Sequence, residues 1–170
     1  MNAVLNGEEI KKRLKQNIPL IENYIDLDQQ LQPNGFDLTV QRVEALLEKG
    51  AIAYENAERK IPKSEKLEFD EQGWVFLPPG CYRIILNEIV NIPNDLIGIG
   101  KPRSSLTRCG ATVETAFWDA GYSGRSEVLL VVFNENGLRL KRNARIMQLV
   151  FLRANEVERG YSGIYQHEHK

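Results

Sequence analysis

From Trp74 onward the apolar residues gather into short extended runs, each closed by residues that favour turns. The runs cover residues 74–77, 81–86, 88–92 and 96–99, then 112–117, 127–133, 138–141 and 146–152. Pro78-Pro79-Gly80, Asn87, Pro93-Asn94-Asp95 and Asn136-Gly137 separate them. The last pair tolerates the positive φ values of a tight reversal. Many short strands with regular turns predict a mainly β fold, a compact barrel or sandwich of jelly-roll type.

The first half reads differently. Residues 1–17 predict a short N-terminal helix, with Asn6 and Glu9 as a capping box, Ile10 and Leu14 as an apolar pair one turn apart, and Pro19 as its stop. Pro33-Asn34-Gly35 then forms a turn that feeds a strand over residues 36–40, with Asp37 its first polar residue. Residues 43–57 fit either a helical turn on Leu46, Leu47 and Ala51 or an excursion from a sheet. Residues 58–73 are charged and irregular, as in a mobile surface loop. At the end, Tyr161-Ser162-Gly163-Ile164-Tyr165-Gln166 lies among charges without strand alternation, and fits a free end or a lid that orders over a ligand.

Composition narrows the functions available. The 170 residues suit one domain over 1–170 with a sizeable core. The 22 Lys and Arg nearly balance the 23 Asp and Glu, which argues against a protein that coats a nucleic-acid backbone, but leaves room for a small anionic ligand on a local basic patch. Cys81 and Cys109 belong to no CxxC pair, so they read as reduced, semi-buried thiols. The 2 histidines, His167 and His169, are C-terminal, which rules out a catalytic His in the core and any Ser-His-Asp arrangement built on one. No apolar run reaches the roughly 18 residues of a membrane span, and no signal-peptide pattern opens the chain. A soluble, cytoplasmic protein without membrane or nucleic-acid partners is expected.

Two segments carry chemistry. Around Pro102-Arg103-Ser104-Ser105-Leu106, backbone amides, two hydroxyls and a guanidinium form a nest for phosphate oxygens, with Arg108 as a second cation. In Asp119-Ala120-Gly121-Tyr122-Ser123-Gly124, between two strands, two glycines open the main chain, Tyr122 offers a rigid face, and Asp119 can accept a proton from water. Taken alone, each also fits an ordinary surface turn. Neither a P-loop nor a dinucleotide Gly fingerprint competes with them, and the zinc-deaminase signature is absent.

Taken in order, these motifs resemble the dCTP deaminase and dUTP diphosphatase (dUTPase) superfamily, particularly its archaeal, deaminase-like branch. Residues 31–38 are similar to its early QPxSxD element, residues 76–80 and 87–95 to the hairpins that follow, and residues 102–108 to RSSLxR. Residues 119–124 resemble the IDxDYxG or IDxGWxG turn, residues 145–151 RIxQLxF, and residues 161–166 the deaminase-type tail.

The resemblance implies a distorted β barrel or jelly roll (a dUTPase-like β-clip) assembled as a homotrimer with active sites shared between subunits. It implies a deoxynucleoside triphosphate substrate whose Mg²⁺ is held mainly by the phosphates, with no protein metal site. Arg103, Ser104, Ser105, Arg108 and Gln148 would contact the triphosphate, and Tyr122 would pack on deoxyribose. Backbone groups within residues 110–124 would read the base. Tyr161 and Gln166 would close over the phosphates, making residues 155–170 an active-site-closing tail. Asp119 would activate water for attack on the α-phosphorus, converting dUTP to dUMP and pyrophosphate.

The alternative is a dCTP deaminase or a bifunctional enzyme. In such deaminases a glutamate ten residues past the motif Asp shuttles protons. Here that position is Leu129, or Val131 when counted back from Phe133-Asn134. Glu127 would share their face but be displaced by about 6.5 Å along the strand, too far for a proton shuttle.

Overall fold

A single long strand organises the molecule, for which a computed structural model describes residues 3–170. The chain opens with α1 (Gly7–Arg13), whose capping box forms as the sequence predicts. Asn6 Oδ1 accepts from Glu9 N at 2.9 Å, and Glu9 Oε2 accepts from Asn6 N at 3.1 Å. The helix stops at Leu14, well before Pro19, and Ile10 is its buried residue. Next come β1 (Ile21–Glu22), α2 (Leu27–Gln30), β2 (Leu31–Gln32) and β3 (Gly35–Leu46). They are followed by β4 (Ser64–Leu67), β5 (Trp74–Leu77), β6 (Gly80–Leu86), β7 (Ile89–Asn91) and β8 (Leu96–Pro102). The rest is α3 (Ser104–Arg108), β9 (Ala111–Glu114), β10 (Ser123–Gly124), β11 (Glu127–Val132), β12 (Leu138–Lys141) and β13 (Arg145–Arg153).

The main sheet runs β8-β13-β3-β6-β11-β9, with β2 and β4 also on β3. Its two edge strands meet: Gly98 in β8 and Trp118, just after β9, exchange backbone hydrogen bonds of 2.9 and 3.1 Å. That bridge nearly closes the sheet into the distorted barrel expected. Strand β3 serves both halves, pairing through its first residues with β13 and through its later ones with β6 and β4. Register shifts after Val40 and after Arg145 let it bend between them. Phe36, Leu38, Val40, Leu149 and Phe151 fill the interior of the bend, all with no exposed surface. Each such side chain contributes about 1.5–3 kcal/mol by leaving water.

Of the two readings of residues 43–57 the helical turn falls, because residues 43–46 continue β3. Two expectations change. Within the region read as an irregular loop, residues 64–67 form β4, paired to β3. Both cysteines are exposed, not half-buried.

One acid lies wholly inside. Glu88 has no exposed surface, and its carboxylate accepts from Thr39 N at 2.9 Å, Thr39 Oγ1 at 2.6 Å and Gln30 Nε2 at 2.7 Å. The Gln30 carbonyl in turn caps Ile25 N and Asp26 N, so the cluster ties α2 to the barrel. Burial pushes the Glu88 carboxyl above its ordinary 4.5, while the Thr39 and Gln30 donors pull it back. The folded chain therefore holds this proton more tightly than the unfolded chain. That contribution is complete below pH 4.5 and is lost as pH rises through the elevated native value. Denaturant titrations of wild type and E88Q across this range should show the wild type losing ground to the variant with rising pH, by up to about 1.4 kcal/mol per pH unit. A pH-independent gap would contradict this.

Candidate active site

The segment carrying Asp119 and Tyr122 is an excursion between β9 and β11, and three anchors shape it. Trp118 is pinned to Gly98. Gly121 N donates to Ile92 O at 2.9 Å, and Ile92 N donates to Tyr122 O at 2.8 Å. Tyr122 N donates to Asp119 O at 3.1 Å and closes the turn. Gly121 sits at φ +83°, a left-handed conformation that a side chain would strain.

The C-terminal segment lies on this turn, within the same chain. Tyr161 N donates to Ala120 O at 2.8 Å, His167 N to Ser123 O at 2.7 Å and Arg125 N to Glu168 O at 2.9 Å. Gln166 spends its whole side-chain amide on the turn: Oε1 accepts from Ser123 N, and Nε2 donates to Gly121 O, both at 2.9 Å. Tyr161 meets Tyr122 edge-on with ring centroids 5.7 Å apart.

Between turn and tail lies a cavity of about 430 Å³, within the range of small-molecule sites. The turn side supplies Trp118, Asp119, Tyr122 and Ser126, the tail supplies Tyr161, Tyr165 and Glu168, and Glu127 stands at the start of β11. Three carboxylates line it and no Lys or Arg does. Two of the three are engaged. Glu127 meets Arg83 Nε at 3.3 Å and His169 Nε2 at 2.8 Å through different oxygens. Glu168 accepts from Tyr122 OH at 2.8 Å. Burial pushes the Glu168 carboxyl upward and the charge of Glu127 adds to that, while the Tyr122 bond and His169 pull it back. Burial also raises the Tyr122 phenol, which stays a neutral donor. Asp119 is exposed to the cavity, and its carboxylate has no hydrogen-bond or ion-pair partner among the described residues.

Of the β11 positions weighed for a deaminase proton shuttle, only Glu127 lines the cavity. Neither Leu129 nor Val131 lines this cavity, and Leu129 faces a neighbouring groove with Leu46 and Pro62. Glu127 is the β11 side chain that reaches it. Glu127 shares the face of Leu129 and Val131, as strand alternation predicts, and stands at the end of β11 nearest the turn. Within the 110–124 segment expected to offer backbone groups, Ala116 and Phe117 are the residues that stand open to the cavity. Both line the cavity beyond the end of β9, and their peptide groups have no backbone partners among the described residues.

The remaining candidates lie apart. Arg103, Ser104, Ser105, Arg108 and Gln148 do not line the Asp119 cavity, and neither does Gln166, which borders a groove on the other side of the turn. Arg103 precedes α3, and Ser104, Ser105 and Arg108 are exposed on it. Arg103 Nε meets Asp37 Oδ2 at 3.0 Å, and Gln148 stands opposite Asp37 in the β13–β3 register, which puts both side chains on one face. Arg145 and Gln32 also reach Asp37, at 3.4 and 3.3 Å. Burial raises the Asp37 carboxyl, and the charges of Arg103 and Arg145 oppose that rise. This buried acid orients the Arg103 guanidinium.

Comparison with known proteins agrees with this architecture. Residues 4–154 match the model of the dCTP deaminase-like family. A relative from Methanosarcina mazei named "probable deoxyuridine 5'-triphosphate nucleotidohydrolase" is 56% identical over 98% of each chain. A Methanocaldococcus jannaschii protein named deoxyuridine 5'-triphosphate nucleotidohydrolase is 36% identical over 82% of this chain and 88% of its own. Among solved structures, the 2'-deoxycytidine 5'-triphosphate deaminase of Agrobacterium tumefaciens superposes with a TM-score of 0.67 at 20% identity over 89% of this chain. The present chain spans 48% of that protein, and the likeness is one of fold.

Proposed function

The chain belongs to the dCTP deaminase-like family, and within it we propose that the protein is a dUTP diphosphatase, hydrolysing dUTP to dUMP and pyrophosphate. The observation that carries this reading is the state of the three cavity carboxylates: Asp119 alone is unengaged, and so free to orient and deprotonate a water. The names of the Methanosarcina and Methanocaldococcus relatives point the same way.

The cavity has room for a nucleoside. Tyr122 and Tyr161 form an aromatic corner for the deoxyribose, and the open peptide groups of Ala116 and Phe117 can pair with the uracil edge. A cavity lined by carboxylates and lacking Lys and Arg cannot neutralise a triphosphate alone. Arg103, Ser104, Ser105, Arg108 and Gln148 form the complementary group, held elsewhere on the same chain. A homotrimer resolves the separation if each cavity receives this group from a neighbour. No cluster of three or more His, Cys, Asp or Glu side chains among the described residues is set to hold a metal. A divalent ion such as Mg²⁺ would be held mainly by the substrate phosphates and would supply charge neutralisation there. The docked tail closes the cavity against bulk water.

Deamination of dCTP is the second reading, and one observation favours it: Glu127 reaches the cavity. Against it, both Glu127 oxygens are already engaged, one by the Arg83 guanidinium and the other by the His169 ring, whereas a proton shuttle needs one of them free. Incubation with dUTP and with dCTP in Mg²⁺ separates the two. Pyrophosphate and dUMP from dUTP, with no ammonia from dCTP, is the expected result, and ammonia release abolished by E127Q would establish the second reading.

Shared sites make a further prediction. D119N and R103A subunits, each nearly inactive alone, should regain activity when dissociated and reassembled together, because mixed trimers contain cavities with both groups intact. No recovery on mixing would place the whole site within one chain.

A further inference from the structure

We propose that Glu168 is a positioning residue through which the docked tail sets the orientation of Tyr122, and with it the preference for deoxyribose over ribose. This rests on the reading of the cavity as a deoxynucleotide site. Four side chains form one hydrogen-bonded line: Trp118 Nε1 to Ser126 Oγ at 2.7 Å, Ser126 Oγ to Tyr122 OH at 3.0 Å, and Tyr122 OH to Glu168 Oε1 at 2.8 Å. Its direction is fixed by valence. An indole N–H can only donate, so Ser126 must accept from Trp118. A carboxylate can only accept, so Tyr122 must donate to Glu168. Ser126 has one proton, and its remaining acceptor is the Tyr122 oxygen.

Trp118, Tyr122 and Ser126 are all buried, at 4%, 7% and 5% exposure, so none of these bonds is readily replaced by water. The line crosses from the rigid barrel to the last residues of the tail, since Trp118 is pinned to β8 through Gly98 while Glu168 reaches Tyr122 only when the tail is docked. Without Glu168 the phenol proton has no acceptor except Ser126, whose own proton is then stranded. The ring loses its defined rotation beside the sugar. Gly124 makes room for the Tyr122 hydroxyl, because a Cβ there would lie 2.7 Å from it.

The test compares E168A, E168Q and Y122F. Gln keeps an oxygen that accepts from Tyr122 but gives up the charge, so E168Q should retain more of the wild-type preference than E168A. E168A should raise KM for dUTP more than it lowers kcat, and should cut the ratio of kcat/KM for dUTP over UTP by about tenfold, the effect of losing one charged hydrogen bond. Y122F should do the same, and the double variant should be no worse than either single. In ¹H–¹⁵N spectra the Trp118 indole N–H should shift more in E168A than in E168Q. Equal losses on dUTP and UTP, additive effects of E168A and Y122F, or an unmoved indole resonance in E168A would overturn the proposal. The spectra read the line without turnover, so an inactive wild type would refute the diphosphatase reading and leave this result distinct.

Discussion

D119N should lose turnover by about 10²- to 10⁴-fold while still binding a non-hydrolysable dUTP analogue nearly as wild type does. The substitution keeps the shape of the side chain and removes only its capacity to take a proton. Its effect on folding should be small, because the carboxylate is exposed to the cavity and holds no partner among the described residues. Retained binding is expected because the tyrosine corner and the open peptide groups of residues 116 and 117 do not involve Asp119. Losing a negative charge also relieves repulsion of the triphosphate. Steady-state turnover and calorimetric binding, run side by side, separate the two effects. Near wild-type turnover in D119N would show that another group activates the water.

G121V should detach the tail. A Cβ at Gly121 would lie 2.6 Å from Gly160 Cα and 2.9 Å from Tyr161 N, backbone atoms that cannot move aside while the tail stays docked. The residue also sits at φ +83°, where an L side chain costs about 1–2 kcal/mol. Undocking is the cheaper response, since the barrel bonds through Gly98 and Ile92 are untouched. The amides of Arg125 and His167, which donate to Glu168 O and Ser123 O, should lose protection from hydrogen exchange. The kcat/KM for dUTP should fall about tenfold or more as Tyr161 and Glu168 leave the cavity wall. Unchanged amide protection in G121V would show that the tail is not held as described.

These two residues illustrate what the sequence made legible. Asp119 and Gly121 stand out because their types are positionally constrained, one a carboxylate on a turn and the other a residue free to adopt positive φ. The capping box at Asn6 and Glu9 was readable for the same reason, since it rests on side-chain chemistry within a few residues. At Asn136-Gly137 a turn forms, with Gly137 at φ +75°, but it closes no hairpin, because β12 pairs with β5 and not with β11. The end of β3 was not readable. Residues 41–46 alternate weakly, and their polar side is balanced by partners distant in sequence, such as the Arg83–Glu44 contact at 3.7 Å. Strand β4 offers one apolar residue, Leu67, because it lies at the margin of the sheet. The docking of the tail combines main-chain hydrogen bonds, which leave no trace in side-chain identity, with side-chain bonds from Gln166, Glu168 and His169 whose partners are distant in sequence. The engagement of Glu127 required knowing that Arg83 and His169 meet it from β6 and from the tail.

Motif order also could not reveal that the Arg103 group and the Asp119 cavity stand apart on one chain. Proximity along a family pattern describes the assembled site, whereas the separation is a property of the subunit. Asp37 shows the converse. Its place in an early motif gave no role, yet it is the buried acid against which Arg103, Arg145 and Gln148 gather.

The most direct test is single-turnover hydrolysis of dUTP in ¹⁸O-labelled water, with the label located by mass spectrometry. Attack by an Asp119-activated water on the α-phosphorus predicts ¹⁸O in dUMP and none in pyrophosphate. Label in the pyrophosphate would contradict the account.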